Sequence, residues 1–454
     1  MNFLAEAELR VAACEPIAMR GSVAALRGLT VLVDDMPVLV GSLVGVCTSS
    51  GERAGEVVGF DGRRAVVMLF GQLAGVRPGD AVQLRSGSQC VRVGRSMLGR
   101  VVDAMGRPID SGPALVDLST RALSPDPLGA MQRRRIVERL ETGVRAIDLF
   151  NTVGRGQRLG VFAGPGVGKS TLMGMIARRA AADVNVIGLI GERGREVKDF
   201  IDHALGEEGL RRSVVVVSTG DESPLMRIRA AMASCAIAEH FRDQGKDVML
   251  MLDSVTRFAH AQRQVGLAVG EPPATKGYTP SVFSMLPLLL ERAGAIEGLN
   301  GRPTGSITGF YTILVEGDDM TEPIADAARG ILDGHLVLSR RLAHKGHFPA
   351  IDPLDSVSRL MSEVADKEHQ AARRSLVSLL AAYKDAEDLI QIGAYAPGSN
   401  ATTDAAIQFK PRIDAVLRQS VDESEPASAG RARLVALAGE AAAALAAAEK
   451  GRKK

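Results

Sequence analysis

A glycine-rich run between two apolar segments carries the residue types that a phosphate-binding loop needs. Its members are Gly164, Pro165, Gly166, Val167, Gly168, Lys169, Ser170 and Thr171. The apolar residues 159–162 before it predict a strand, and residues 171–182 after it predict a helix. Glycines let backbone N–H groups turn towards phosphate oxygens, and the new helix directs its positive end at the same anion. Lys169 is then placed for the β- and γ-phosphates of ATP, and the Ser170 hydroxyl for Mg²⁺.

The run departs from the strict P-loop pattern at its first position, where Ala163 stands in place of glycine. That position has no role in holding phosphate, so the pattern still predicts a P-loop that binds Mg·ATP and supports its hydrolysis. The alternative is a glycine-rich turn that contains a lysine by coincidence.

An aspartate at the end of a second apolar segment is a candidate metal ligand. Residues 248–252 predict a strand, and Asp253 follows it directly. In α/β folds, ligands bind at the carboxyl edge of the sheet, where such a side chain lies. Its carboxylate would hold Mg²⁺ beside the P-loop. Taken alone, an aspartate in this position more often caps a helix.

A charged run after the strand predicted over residues 184–190 supplies a candidate catalytic carboxylate. The run contains Glu192 and Arg193. Hydrolysis needs a water molecule in line with the γ-phosphate and a group that orients it. We expect Glu192 to orient this water and Arg193 to organise charge beside it. A surface Glu–Arg pair fits the same spacing, so spacing alone leaves both possibilities open.

Changes in hydrophobic pattern divide the chain into four predicted parts. They are a helical leader at residues 1–24, a small β-barrel domain at 25–95, a P-loop ATPase domain at 96–362 and a helical domain at 363–454. The predicted fold class is α/β. It has a central P-loop (RecA-like) domain with a mostly parallel sheet, an antiparallel barrel before it and helices after it. The leader sequence leaves open whether it packs on its own protein or docks on a partner or a membrane surface.

Two kinds of run predict the strands of these domains. Short β-rich runs predict the barrel strands, at residues 30–33, 41–47, 56–60, 64–69 and 81–84. Longer apolar runs predict the sheet strands, at residues 159–163, 184–190, 214–218, 248–252, 307–315 and 335–338. One helix is marked at both ends, because Ser223 can cap it, Pro224 suits its first position and Gly245 follows its end. Residues 422–430 predict a loop.

Composition limits the classes of function. The chain has 454 residues and a formal net charge of +2, which argues against a protein held on nucleic acid by bulk charge. No apolar run reaches the length of a membrane span, and the first residues lack the basic start of a signal peptide. The four cysteines lie far apart and have no neighbouring histidine. This pattern favours a reducing cytosol over a disulfide framework.

Several longer blocks resemble one known family. In chain order they are GPGVGKST, IGERGREV, VMLMLDSVTRFAHAQRQV, GEPPATKGYTP, LVEGDDMTEPIAD and GHFPAIDPLDSVSRLM. Together these blocks resemble the catalytic subunits of rotary ATPases, and they look most like the flagellar and type III secretion export ATPases. The resemblance covers about residues 25–420.

The resemblance implies roles for further residues. Phe348 matches the aromatic residue that stacks on adenine, and Arg359 matches the position used as an arginine finger. It also supports Glu192 as the catalytic carboxylate. The plain alternatives are core packing for Phe348 and a loop salt bridge for Arg359.

The presence of Glu192 and Arg359 on one chain implies a ring of identical subunits. Each protomer of such a homohexamer would lend Arg359 to its neighbour. The resemblance also implies a regulatory export partner at the leader, with chaperones, cargo proteins and a membrane export gate as further partners. The expected location is cytoplasmic, peripheral to the inner membrane. Residues 393–404 match a strongly acidic loop of the rotary synthases but are almost uncharged, which favours the export branch.

Four alternatives remain beside the flagellar export ATPase. An injectisome export ATPase would differ mainly in its partners. A rotary synthase subunit would copurify with a non-catalytic paralogue. A hexameric nucleic-acid translocase would be stimulated by RNA, but the low charge and the few aromatic residues of the barrel argue against it. A nucleotide-binding scaffold would not hydrolyse ATP.

Overall fold

Short strands rich in valine close into a barrel near the amino terminus. The barrel strands are β1 (Arg20–Arg27), β2 (Thr30–Asp34), β3 (Leu43–Thr48), β4 (Gly51–Asp61), β5 (Arg64–Leu69) and β6 (Ala81–Ser86). Their order around the barrel is β1-β2-β5-β4-β3-β6, and antiparallel pairing of β1 with β6 closes it. Val31, Val46, Val67 and Val82 fill the interior, because alternate residues of each strand point inwards.

The computed structural model describes residues 19–298, 304–315, 317 and 319–452. Most of the predicted leader, residues 1–18, lies outside the described residues. The barrel begins at Arg20, within the range assigned to the leader, rather than at residue 25. Its first strand, RGSVAALR, buries only Val23 fully, so it lacks the apolar run that marked the other strands.

The central sheet is built from apolar strands that are covered on both faces. Its main strands are β12 (Arg158–Ala163), β13 (Val184–Glu192), β14 (Ser213–Thr219), β15 (Asp247–Asp253), β17 (Ser306–Leu314) and β18 (Gly334–Leu338). The spatial order is β18-β12-β17-β15-β13-β14, and every neighbouring pair in it is parallel. Parallel strands need crossover connections, which helices on both faces provide.

Shorter strands extend this sheet or lie beside it. They are β7 (Cys90–Val93), β8 (Arg100–Asp103), β9 (Ser119–Ala122), β10 (Arg139–Leu140), β11 (Val153–Gly154), β16 (Gly294–Ala295) and β19 (Val357–Ser358). β8 adds to β14 in parallel, and β19 adds to β18 in antiparallel orientation. The described strands therefore form an α/β layer with a mostly parallel sheet.

Helices cover the sheet and form the carboxyl-terminal part. They are α1 (Arg145–Phe150), α2 (Lys169–Arg179), α3 (Gly194–Asp199), α4 (Gly206–Arg211), α5 (Pro224–Arg242), α6 (Val255–Val269), α7 (Pro280–Leu290), α8 (Pro323–Ile331), α9 (Arg340–His344), α10 (Met361–Val364), α11 (Lys367–Gln391), α12 (Ala401–Leu417) and α13 (Ala427–Arg452). α5 has the predicted signals, because the Ser223 side chain accepts a bond from Met226 N and Pro224 is its first residue. α13 begins inside the predicted 422–430 loop.

The helical domain and the ATPase domain share one hydrophobic core. Ile176 of α2, Leu376 of α11, Phe409 of α12 and Leu434 of α13 belong to the same buried cluster. The barrel, central sheet and helical region confirm the predicted fold class. Among the residues that the structure describes, no helix has the length and apolar character that a bilayer crossing requires.

Candidate nucleotide-binding and catalytic site

The P-loop joins the central strand β12 to helix α2. β12 ends at Ala163, and α2 begins at Lys169. Gly166 and Gly168 have φ angles of +77° and +89°, a backbone region that side chains with a Cβ rarely adopt. These glycines let the loop turn its N–H groups inwards and place the start of α2 behind them. Ser170 and Thr171 are exposed in the first turn of α2.

Three side chains meet beside this loop, one from the start of α2 and two from the ends of strands β13 and β15. The ammonium of Lys169 pairs with the carboxylate of Asp253, and its Nζ lies 3.4 Å from Oε1 of Glu192. β13 and β15 are parallel neighbours, and Leu189 pairs with Asp253 across them. Glu192 and Asp253 therefore leave the sheet at the same edge. The structure brings together these predicted residues, which we call the Lys169 cluster.

Burial and charge set the protonation of this cluster. Burial, the largest influence, raises the pKa of Glu192 to about 7, while Lys169 opposes the rise and Asp253 and Glu196 add to it. Burial lowers the pKa of Lys169, but Asp253 and Glu192 outweigh that effect, so its pKa lies above the ordinary value. The ammonium is thus shared between two carboxylates, and an incoming triphosphate would compete for it.

A threonine from the neighbouring strand β17 orients Asp253. Oγ1 of Thr312 donates to Oδ1 of Asp253 at 2.6 Å, and both side chains are buried. Sequence patterns did not single out Thr312, because a threonine inside a β-rich run is ordinary. The oxygen donors of Asp253 and Ser170 suit a hard cation such as Mg²⁺. These residues are therefore suitable ligands for the Mg²⁺ ion that accompanies a nucleoside triphosphate.

Phe348 lies beside the P-loop and is 46% exposed. Its ring carbons Cδ1 and Cε1 lie 3.6 Å from the position that a Cβ on Gly168 would occupy. The ring also lines a recess with Gln419 and Glu423 of the helical domain. An exposed aromatic face next to the phosphate loop is placed to stack on a base.

The two predicted arginines do not join the Lys169 cluster. The Arg193 side chain is 87% exposed and lies 3.6 Å from Glu196. Consecutive residues at a strand end point to opposite sides, so Arg193 turns away where Glu192 turns in. Arg359 is exposed near the amino end of β12, at the opposite edge of the sheet.

Another arginine, which sequence analysis did not select, lies against the Glu192 loop. Arg257, in the first turn of α6, packs its side chain against Gly191. Its Nε is buried and has no hydrogen-bond partner among the described residues. The only signal in the sequence is its position one helical turn after Asp253.

The P-loop, the carboxylate pair and the parallel sheet define a P-loop ATPase with a nucleotide-binding domain of the ATP synthase type. Residues 143–358 match the model of the ATP synthase alpha/beta family, nucleotide-binding domain. Residues 365–436 match the model of the T3SS EscN ATPase C-terminal domain.

Relatives and solved structures agree with these matches. The chain is 53% identical over 384 residues to a flagellum-specific ATP synthase of Bacillus subtilis, covering 85% of this chain and 86% of that protein. The assembled ATPase EscN of the enteropathogenic E. coli type III secretion system has a TM-score of 0.86 and 42% identity, covering 92% and 100% of the two chains. EscN in complex with its central stalk EscO has a TM-score of 0.83 and 41% identity, with the same coverage.

The chain therefore belongs to the flagellar and type III secretion ATPase family. The predicted family and the predicted ATPase activity are confirmed. The roles of single residues, the metal, the partners and the location remain predictions.

Proposed function

We propose that this chain forms a homohexameric ring that hydrolyses Mg·ATP and couples turnover to chaperone release and export of flagellar proteins through a type III secretion gate. The position of Arg359 is the main observation that supports the proposed ring. Its N–H donates to Asp333 O at 3.0 Å, and Asp333 bonds Arg158, the first residue of β12. The P-loop leaves the last residue of that strand. A strand of this length spans about 17 Å, so Arg359 lies out of reach of its own Lys169 cluster.

An exposed Arg359 can instead reach the site of a neighbour. The same chain carries Glu192, so identical protomers can complete one another's sites. A finger supplied in this way is worth about 10³- to 10⁵-fold in rate. The isolated protomer is then nearly inactive.

Each residue of the site has a distinct task in the proposed mechanism. The P-loop N–H groups and Lys169 hold the phosphates, and Glu192 orients water towards the γ-phosphate. Phe348 stacks on adenine. Ser170 and Asp253 would hold Mg²⁺, which neutralises phosphate charge when bound. Because Arg193 is exposed, its proposed task of organising charge needs a movement of the Glu192 loop; Arg257 already lies against that loop.

The proposed partners follow the family. The solved assembly of EscN, and its complex with the central stalk EscO, support self-association and a partner inside the ring. We assign the leader, residues 1–24, to a regulatory export partner. The helical domain would face chaperones and cargo. The ring would lie in the cytoplasm against the export gate of the inner membrane, with no nucleic acid bound.

Mixing two inactive variants tests the ring. Lys169→Ala lacks a working site but keeps its finger, and Arg359→Ala lacks the finger but keeps its site. Mixed rings should regain about one quarter of wild-type turnover, because a random half of the sites is intact and half of those face a finger. Arg412→Ala, which removes an exposed arginine paired with Glu440, is the control and should stay active.

Two results would contradict the ring. The first is the absence of turnover in mixtures that mass photometry shows to be mixed rings. The second is a wild-type specific activity that does not change with protein concentration across the range of assembly.

An injectisome ATPase is the second candidate, favoured by the 42% identity to EscN over 92% of this chain. Affinity capture from cells in the presence of ATP separates the two. Flagellar gate components among the captured proteins support the first proposal, and injectisome gate components support the second.

A further inference from the structure

The carboxyl-terminal end of α8 holds the side chain of Arg359. Nη2 of Arg359 donates to the backbone oxygen of Arg329 at 3.1 Å, and Arg329 lies in the last turn of α8. Last-turn carbonyls lack a partner within the helix, and the negative end of a helix attracts a cation. The guanidinium makes no other hydrogen bond to a described residue, so its remaining donors can point across an interface. The backbone of Arg359 is held by Asp333 O, and the carboxyl-terminal end of α8 therefore orients its guanidinium.

The amino-terminal end of α8 is fixed by a glutamate. Oε2 of Glu322 accepts hydrogen bonds from the N–H groups of Ile324 and Ala325 at 3.2 and 3.3 Å. The other carboxylate oxygen, Oε1, accepts from the hydroxyl of Tyr278 at 3.1 Å. Glu322 thus caps the helix with one oxygen and ties it to Tyr278 with the other.

Tyr278 in turn contacts α6, the helix that follows Asp253. Its hydroxyl lies 3.1 Å from Nε2 of His260, and the two rings stack with centroids 6.0 Å apart. The guanidinium of Arg263 lies over the Tyr278 ring at 5.3 Å. Tyr278 is 3% exposed, so this junction is packed inside the ATPase domain.

Tight packing makes α8 a rigid link between Tyr278 at its amino-terminal end and Arg359 at its carboxyl-terminal end. Ile324, Ala325 and Ala328 are fully buried, and they share one hydrophobic cluster with Tyr278. A close-packed helix shifts as a unit rather than bending locally. A displacement of α6 would reach Arg359 through Tyr278, Glu322 and α8.

We infer that Tyr278 and Glu322 are positioning residues that couple a protomer's own nucleotide site to the finger it lends to its neighbour. The inference rests on the proposed ring. α6 begins two residues after Asp253, and a metal held by Asp253 would compete with its pairing to Lys169. The state of one site is then passed to the arginine that serves the next.

The test introduces Tyr278→Phe either into the protomer that lends Arg359 or into the protomer that receives it. A finger donor carries Glu192→Gln, which silences its own site, and a finger acceptor carries Arg359→Ala, which keeps its site. In mixed rings only acceptor sites that face a donor turn over. Tyr278→Phe in the donor should lower kcat about three- to tenfold, because the finger loses a hydrogen-bonded support. The same change in the acceptor, which lends no finger, should leave kcat and KM unchanged.

Tyr311→Phe in the donor is the matched control. Tyr311 is fully buried in the same hydrophobic cluster, and its hydroxyl donates to Leu290 O at 3.2 Å. It should leave kcat unchanged although it too removes a buried hydroxyl. Glu322→Ala in the donor is a second variant and should reproduce the one-sided loss.

The outcomes separate cleanly. An equal loss from donor and acceptor would mean that Tyr278 serves its own site, and no loss from either would mean that it supports nothing in the reaction. Each result overturns the inference. Mixed rings that are silent before Tyr278→Phe is introduced would overturn the proposed ring itself.

Discussion

Titration of Glu192 should set the acidic limb of the pH–activity profile. Burial chiefly raises its pKa to about 7, against an ordinary value of 4.5. The kcat/KM profile reports groups of the free enzyme, and Glu192 must be ionised to orient water. Because the carboxylate is the active form, kcat/KM should fall about tenfold for each unit below pH 7 and level off above about pH 8.

A substitution next to Glu192 should move this limb in a known direction. Glu196 raises the pKa of Glu192 through a hydrogen bond and through its charge. Its side chain is 51% exposed, so Glu196→Gln leaves the P-loop in place. A neutral amide favours the ionised form of Glu192, and the midpoint should move to lower pH by about half a unit to one unit. Asp202→Asn, which removes an exposed carboxylate paired with Lys198, should leave the midpoint unchanged.

The assay is steady-state phosphate release between about pH 5.5 and 9, with ring assembly followed by mass photometry at each pH. A midpoint near 4.5, the ordinary value for a glutamate, would refute the placement of the catalytic carboxylate in a desolvated cluster. So would a profile that Glu196→Gln does not move, or one that it moves to higher pH.

The remaining predictions concern Phe348, which is proposed to stack on adenine, and the interface between the ATPase domain and the helical domain. Phe348→Ala should weaken ATP binding by about 1–3 kcal/mol, because stacking of one base on an aromatic ring contributes about that much. The change in kcat should be small. Titration with a fluorescent nucleotide measures the loss of binding free energy. Arg145→Ala should lower the free energy of unfolding by about 3 kcal/mol, measured by urea denaturation. Arg145 is buried and bonds Glu423 and backbone oxygens of the helical domain. Arg412→Ala, which loses an exposed ion pair with Glu440 and a cation–π contact with the Phe409 ring, should cost about 1 kcal/mol.

The sheet was predictable because each of its main strands is an apolar run covered on both faces. β8 was not, because it is four residues long and begins with Arg100. Burial of this arginine is tolerated because its guanidinium pairs with Asp110 and with the backbone oxygen of Pro113. A partner ten residues away in sequence cannot be recognised from a local pattern.

The Lys169 cluster was predictable for a related reason. Glu192 and Asp253 close their strands, Lys169 follows the loop after β12, and parallel strands end at one edge. Their supports were not predictable, because the neighbours of a strand depend on spatial order. Thr312 reaches Asp253 only because β17 lies next to β15. Arg193 is adjacent to Glu192 in sequence, but neighbouring residues of an extended segment point to opposite sides, so the Arg193 side chain points away from the cluster.

The shared core limits how the helical domain can be exchanged between relatives. Leu376, Phe409 and Leu434 belong to one buried cluster with Leu149 and Phe150 of α1, and α1 is the helix that α11, α12 and α13 all contact. A chimaera with a foreign carboxyl-terminal module would have to rebuild that apolar seam before it could fold. Substitutions that leave this seam intact are therefore confined to the solvent-facing side of these helices.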